Sequence, residues 1–326
     1  MSAKMQRRDF ITLLGGAAAW PLAARAQEVG RTYRLAVLNT AGRSAPQFLS
    51  LFDELRKLGF VEGQNLIVDS RGFAARTEEF PSLAAELAKT GVDAVLCGGI
   101  AAVRAAQGAT RTIPIVANVN DMVGAGLVAS LARPGGNITG ISFLAADLDG
   151  KRLEILMEVL PTVRRMAALT DPENSNSDKL QALHDAARAR GVDLSVYVVD
   201  RPERIVPAID DAKSKGIAAL NVLASPLLNS RRFDIYERTT LLRLPAMYHW
   251  PENAEEGGLL GYGPRLTQIY RQMAQQLAKI FRSAKPSEVP VEQPTKFDLV
   301  INLKTAKALG IEMPASVLAR ADEVIE

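Results

Sequence analysis

Tyr33-Arg34-Leu35-Ala36-Val37-Leu38-Asn39, followed by Pro46 and then Phe48, Leu51, Phe52 and Leu55 before Gly59, decides the fold. The first run is apolar at nearly every position and rich in strand-forming side chains, as expected of a strand buried on both faces. Pro46 opens a helix whose apolar residues recur three and four apart, and Gly59 closes it. A buried strand followed directly by a helix is the first half of a βαβ unit, so a parallel sheet covered by helices is expected.

Working outward, the pattern continues. Strands are expected at 65–69, 93–97, 115–119 and 138–142, with helices at 78–89 and from 100 onward. It then restarts, with helices at 150–159, 177–190, 202–215 and 231–242 and strands at 165–169, 194–199, 218–222 and 245–248. Two such series imply an α/β protein of two doubly wound, Rossmann-like lobes facing across a cleft. The stretch 258–326 holds one more strand, a long helix at 267–281 and an extended segment at 286–294. It is too long for a tail and is expected to return into both lobes.

Upstream, Arg7-Arg8-Asp9-Phe10 precedes a short apolar, glycine-containing run, and Ala24-Arg25-Ala26 forms a small-residue cleavage site. This order is that of a twin-arginine (Tat) signal peptide spanning 1–26, cleaved after Ala26, and the run is too short to remain as an anchor. No Cys lies within it, so a lipid anchor has no attachment atom. A soluble, monomeric periplasmic protein beginning at Gln27 is expected. Lys4, Arg7, Arg8 and Arg25 against Asp9 account for the whole formal charge of +3, leaving 35 basic and 35 acidic side chains. A neutral protein offers no electrostatic case for nucleic acid or an anionic membrane. The lone Cys97, within an apolar run, reads as a small buried hydrophobe.

Ligands of doubly wound sheets bind beyond the carboxyl ends of the strands. Those positions include Asn39, Gly98, Gly99, Ile100, Asn120, Asp121, Asn174, Ser175, Ser225 and Tyr248, with His249 and Trp250 beside the last. Gly98-Gly99 before a helix reads either as backbone donors for an anion or as a plain tight turn. Asp121 reads either as a partner for a ligand ammonium or as the cap of a short helix over 123–131. Tyr248 and Trp250 supply stacking faces or core packing. Gly124-Ala125-Gly126-Leu127-Val128-Ala129 fits a dinucleotide fingerprint in letters, but follows the fourth strand rather than the first. No hydrolase elbow or zinc motif occurs, and His184 and His249 are the only histidines. No catalytic residue, cofactor or metal is expected.

Three long runs carry a family resemblance: residues 7–26; Leu127-Val128-Ala129-Ser130-Leu131-Ala132-Arg133-Pro134-Gly135-Gly136-Asn137-Ile138-Thr139-Gly140 with Gly150-Lys151-Arg152-Leu153-Glu154; and Pro290-Val291-Glu292-Gln293-Pro294-Thr295-Lys296-Phe297 through Leu303-Lys304-Thr305-Ala306-Lys307 to Ala321-Asp322-Glu323. Over essentially the whole chain these resemble the tryptophan/tyrosine-type substrate-binding proteins of ABC importers. The resemblance implies a type I periplasmic-binding-protein fold with crossovers near 144–149, 251–256 and 292–296. One lobe is then 27–145 plus about 256–290, the other 146–255 plus about 291–326. It also implies a small amino-acid-like or aromatic ligand, a permease partner and no enzymatic activity. The alternative role is a ligand-sensing module for a receptor kinase.

The family's turn after strand three, expected to meet a ligand carboxylate, corresponds to Gly99-Ile100-Ala101-Ala102, without its hydroxyl and proline. Its strand-four aspartate is matched by Asp121, followed by Met122 in place of proline. Its Asn-Pro-x-Asn loop becomes Asp171-Pro172-Glu173-Asn174. These departures point to a ligand different from the aromatic amino acids.

Overall fold

The quoted run forms β1 (Tyr33–Leu38), the second strand of a five-stranded, all-parallel sheet. The computed structural model describes residues 30–326, Leu144 and Asn176 excepted, and the expected export signal lies outside the described residues. The other strands are β2 (Leu66–Asp69), β3 (Ala94–Gly98), β4 (Ile115–Val119) and β5 (Ile138–Ser142), in the order β2-β1-β3-β4-β5. Helices α1 (Pro46–Lys57), α2 (Phe80–Leu87) and α3 (Ile100–Ala109) connect them. Pro46 occupies the first turn of α1, and Phe48, Leu51 and Leu55 are buried, as their spacing requires.

The second half builds on α4 (Ala145–Val159), β6 (Arg165–Thr170), α5 (Ser177–Arg188), β7 (Asp193–Val198), α6 (Ile205–Ser214), β8 (Ala219–Val222), α7 (Pro226–Ser230), α8 (Arg232–Leu241), β9 (Ala246–Tyr248) and α9 (Pro251–Glu255). The expected helix over 202–215 is a 3₁₀ turn, Pro202–Arg204, leading into α6.

The C-terminal stretch departs from expectation. It supplies three strands, β10 (Leu260–Gly263), β11 (Asp298–Asn302) and β12 (Glu323–Ile325), together with α10 (Leu266–Phe281), α11 (Leu303–Leu309) and α12 (Ala315–Leu318). The second sheet is therefore seven-stranded, β12-β11-β10-β9-β8-β6-β7, with only β10 and β11 antiparallel. Because β10 pairs with β9, the chain stays in this lobe beyond 251–256 and leaves it after Gly263. α10 then covers the first sheet, its Ile269, Tyr270, Met273 and Leu277 sharing a core with Phe48 and Leu51. The chain runs along β5 at Glu292, whose N–H donates to the Gly140 carbonyl at 2.9 Å, before re-entering the second sheet at Asp298. The short helix expected over 123–131 is absent. Residues 122–126 are consecutive turns with Gly126 at φ +67°, a left-handed conformation that ends helical propagation.

Candidate functional site

The carboxyl ends of the two sheets meet around a chamber of ≈ 70 Å³, lined by both lobes. That is room for on the order of five waters, or a single substituted ring. Just after β1 comes Asn39, whose Oδ1 accepts from the Ala41 N–H at 2.8 Å while its Nδ2 donates to the Tyr270 hydroxyl at 2.9 Å. Burial pushes that hydroxyl up to about 12, so it remains protonated at neutral pH. Gly98 ends β3, and a methyl there would overlap the Asn39 carboxamide. Gly99 caps α3 at φ +89°, and a Cβ on it would stand 2.7 Å from Cγ of Pro226 in the other lobe. Both glycines are demanded by close approach, and the second by backbone conformation as well.

Asn118, the last residue but one of β4, has its Oδ1 buried and unpartnered. Phe143 follows β5 and meets Trp250 edge-on, with centroids 5.2 Å apart at 88°. From the second lobe come Asn174, Ala224, Ser225, Pro226 and His249. His249 is 3% exposed and its Nδ1 has no partner. Burial, aided by nearby Arg152, holds its pKa well below the ordinary histidine value, and the ring also bonds the Val222 carbonyl. It is therefore neutral, with its proton directed to Val222 and a lone pair on Nδ1. Beneath it, the buried Arg152 of α4 donates to the carbonyls of Tyr262 at 2.8 Å and His249 at 3.3 Å, and pairs with Asp149 at 2.6 Å. Burial pushes Asp149 up and Arg152 down.

The lobes touch directly. Asn120 Nδ2 donates to Asn174 Oδ1 at 2.6 Å and to the Ala224 carbonyl at 3.1 Å. This bridge separates the inner chamber from an outer one of ≈ 450 Å³, which is lined by Arg104, Asp121, Asp149, Glu173 and Lys179. There Asp121 pairs with Lys179 of the other lobe at 3.3 Å. Glu173 accepts from the Ala101 N–H at the start of α3, with burial, and secondarily Asp171, pushing its pKa up. The buried Asp171 carboxylate accepts from the Asn174 N–H at 2.9 Å, from Asn174 Nδ2 at 2.8 Å and from the Ser225 hydroxyl, fixing both loops.

Of the ten positions expected from sequence, Asn39, Gly98, Gly99, Ile100, Asn120, Asn174 and Ser225 line the inner chamber together. Three do not. Asp121 turns its carboxylate to the Gly124 N–H at 2.8 Å and to Lys179, so it stands in the outer chamber. Ser175 donates to the Pro172 carbonyl at 3.1 Å and lines neither chamber. Tyr248 packs into the core against Tyr236, because successive residues at a strand end point to opposite faces and the next, His249, takes the cleft. The Gly99 N–H expected for an anion instead donates to the Asn118 carbonyl at 3.0 Å. Tyr270, Phe143, Leu266 and Asn229 also line the chamber and were not foreseen. Tyr270 left one sequence signal: a hydroxyl within the apolar stripe of α10 needs a buried polar partner. Among the described residues no group of three His, Cys, Asp or Glu is placed to hold a metal, and no helix is long and apolar enough to cross a membrane.

The model of the family described as ABC transporter substrate binding protein matches residues 48–325. The chain is 24% identical over 261 residues to a tyrosine-binding protein of Clostridioides difficile, covering 79% of this chain and 74% of that protein. A conserved domain protein of Vibrio cholerae superposes with a TM-score of 0.82 at 27% identity, over 90% of this chain and 100% of that one. A Streptococcus pneumonia ABC domain solved in complex with L-Trp does so at 0.79 and 22%, again over 90% and 100%. The ligand-free, open structure of a Clostridium difficile substrate-binding protein gives 0.63 at 24%, over 90% and 99%.

Proposed function

Because the chain belongs to the family of ABC transporter substrate-binding proteins and has a type I periplasmic-binding-protein fold, we propose that it captures a small amino-acid-like or aromatic molecule between its lobes, outside the cytoplasm, and delivers it to a membrane permease. The observation that carries this reading is the inner chamber itself. It sits at the carboxyl ends of both sheets, takes polar and aromatic side chains from each lobe, and is spanned on its outer-chamber side by the Asn120 bridge. A molecule held there contacts both lobes only when they are together, so its binding energy favours the closed form. The C. difficile relative named for tyrosine and the neighbour holding L-Trp support a ligand of this general size. A family of binding proteins gives no support to catalysis.

Purified protein screened by thermal shift against amino acids, aromatic acids, nucleobases and carboxamides tests the reading. At least one compound is expected to stabilise saturably, by about 2.7 kcal/mol at a hundredfold excess over Kd. No saturable shift, together with no carried ligand in native mass spectrometry, would overturn it. For delivery, cells lacking the protein are expected to lose uptake of the radiolabelled ligand. For export, a mature N-terminus at Gln27 in the osmotic-shock fraction is the expected result.

A further inference from the structure

We propose that the inner chamber selects an uncharged, flat molecule bearing N–H or O–H donors, of the ring-carboxamide or lactam class, over an amino-acid zwitterion. This rests on the receptor reading above and narrows it. Among the described residues, no Asp, Glu, Lys or Arg lines the inner chamber. A zwitterion placed there would bring two charges into a buried site without a countercharge, the arrangement burial penalises most.

Three groups that an amino acid could use are engaged elsewhere. The Gly99 N–H is bonded to the Asn118 carbonyl, and the Ala101 N–H to Glu173, so these α3 donors are not open to a ligand carboxylate. The Asp121 carboxylate, the obvious counterion for an ammonium, faces Gly124 and Lys179 across the Asn120 bridge.

Two residues that line the chamber carry a buried acceptor without a partner, Asn118 Oδ1 and His249 Nδ1, while the Asn118 side chain otherwise bonds the Tyr270 hydroxyl. Such orphans are rare in folded proteins and call for a donor. A carboxylate, itself only an acceptor, would be repelled by both. A carboxamide or lactam supplies N–H donors at no cost in charge. Phe143 and Trp250, crossed edge to face, give its ring an apolar wall, and the ≈ 70 Å³ volume suits a single ring.

Isothermal titration of the mature protein with nicotinamide, 2-pyridone, nicotinate, L-tryptophan and L-tyrosine tests this. Nicotinamide and nicotinate share a ring and differ in the charge of one substituent. At least one neutral compound is expected to bind tenfold or more tighter than nicotinate and both amino acids. His249→Phe and Asn118→Leu are each expected to weaken it by tenfold or more, and His249→Gln, which keeps an acceptor, by less. Melting curves of the unliganded variants separate lost contacts from lost folding; if a variant does not fold, the wild-type ranking decides. Tighter binding by nicotinate, tryptophan or tyrosine overturns the proposal while leaving the receptor reading intact. No binding by any of the five at millimolar concentration also overturns it, and the broader screen above then decides the receptor reading separately.

Discussion

At the scale of single residues, two positions are constrained by what lies across a boundary. Gly99 is held in a left-handed conformation and faces Pro226 of the other lobe, so Gly99→Ala is strained in the fold and obstructs closure. The expected result is a loss of about 1–3 kcal/mol in stability, as for other overpacked sites. Ligand affinity should fall further still, read by calorimetry beside a thermal melt. Glu252 is the second. Its Oε1 accepts from the Leu266 N–H at 2.8 Å, where the chain crosses between lobes, while its Oε2 is buried without a partner. Burial raises its pKa to about 7. The native state thus binds this proton more tightly than the unfolded chain, whose glutamates titrate near 4.3. Stability should therefore fall as pH rises through roughly 4.3 to 7 and level off above that. Glu252→Gln keeps the bond to Leu266 and should abolish this dependence, gaining up to about 3 kcal/mol at pH 8 in denaturant titrations. Neither constraint was fully legible in the sequence. Two adjacent glycines announce a special turn, but not that a proline 127 positions later in the chain will face it.

At the scale of elements, legibility followed the strength of the local pattern. β1, α1 and the alternating series after them are long enough to show their period, and they form close to where the sequence places them. β10, with two glycines in four residues, has no such period, and neither does the three-residue β12. The resemblance puts the second crossover near 251–256, whereas β10 pairs with β9 and the chain crosses after Gly263, since membership of a sheet is decided by pairing partners far away in sequence. The α10 stripe predicted a helix but not which sheet it would cover. α4 shows how one element can set another's position: its Arg152 fastens the ends of β9 and β10 from below, through the carbonyls of His249 and Tyr262. Asp149→Ala removes a buried acidic partner of the Arg152 guanidinium and should cost up to about 3–5 kcal/mol in denaturant unfolding. Arg152→Met, removing the charge as well, should cost less than Asp149→Ala.

For the whole molecule, closure rests on few contacts. Asn120→Ala removes two interlobe hydrogen bonds, worth about 0.5–1.5 kcal/mol each. It should shift the unliganded protein toward an open form, seen as a larger radius of gyration in small-angle scattering. An unchanged radius would mean that the lobes are held by other contacts. The two-lobed plan was readable from the repeated strand and helix series, whereas the division of the cleft was not. It depends on Asn120, Asn174 and Ala224 meeting, and Asn120 and Asn174 individually look like loop residues.

That division bears on time as well as affinity. The inner chamber is walled by both lobes, and the Asn120 bridge stands between it and the outer one. A captive molecule that leaves by way of the outer chamber does so only after the bridge parts, a motion of the protein of the microsecond-to-millisecond kind common to hinged domains. In stopped-flow displacement, chemically different weak ligands should converge on one ceiling rate, and Asn120→Ala should raise that ceiling for all of them together.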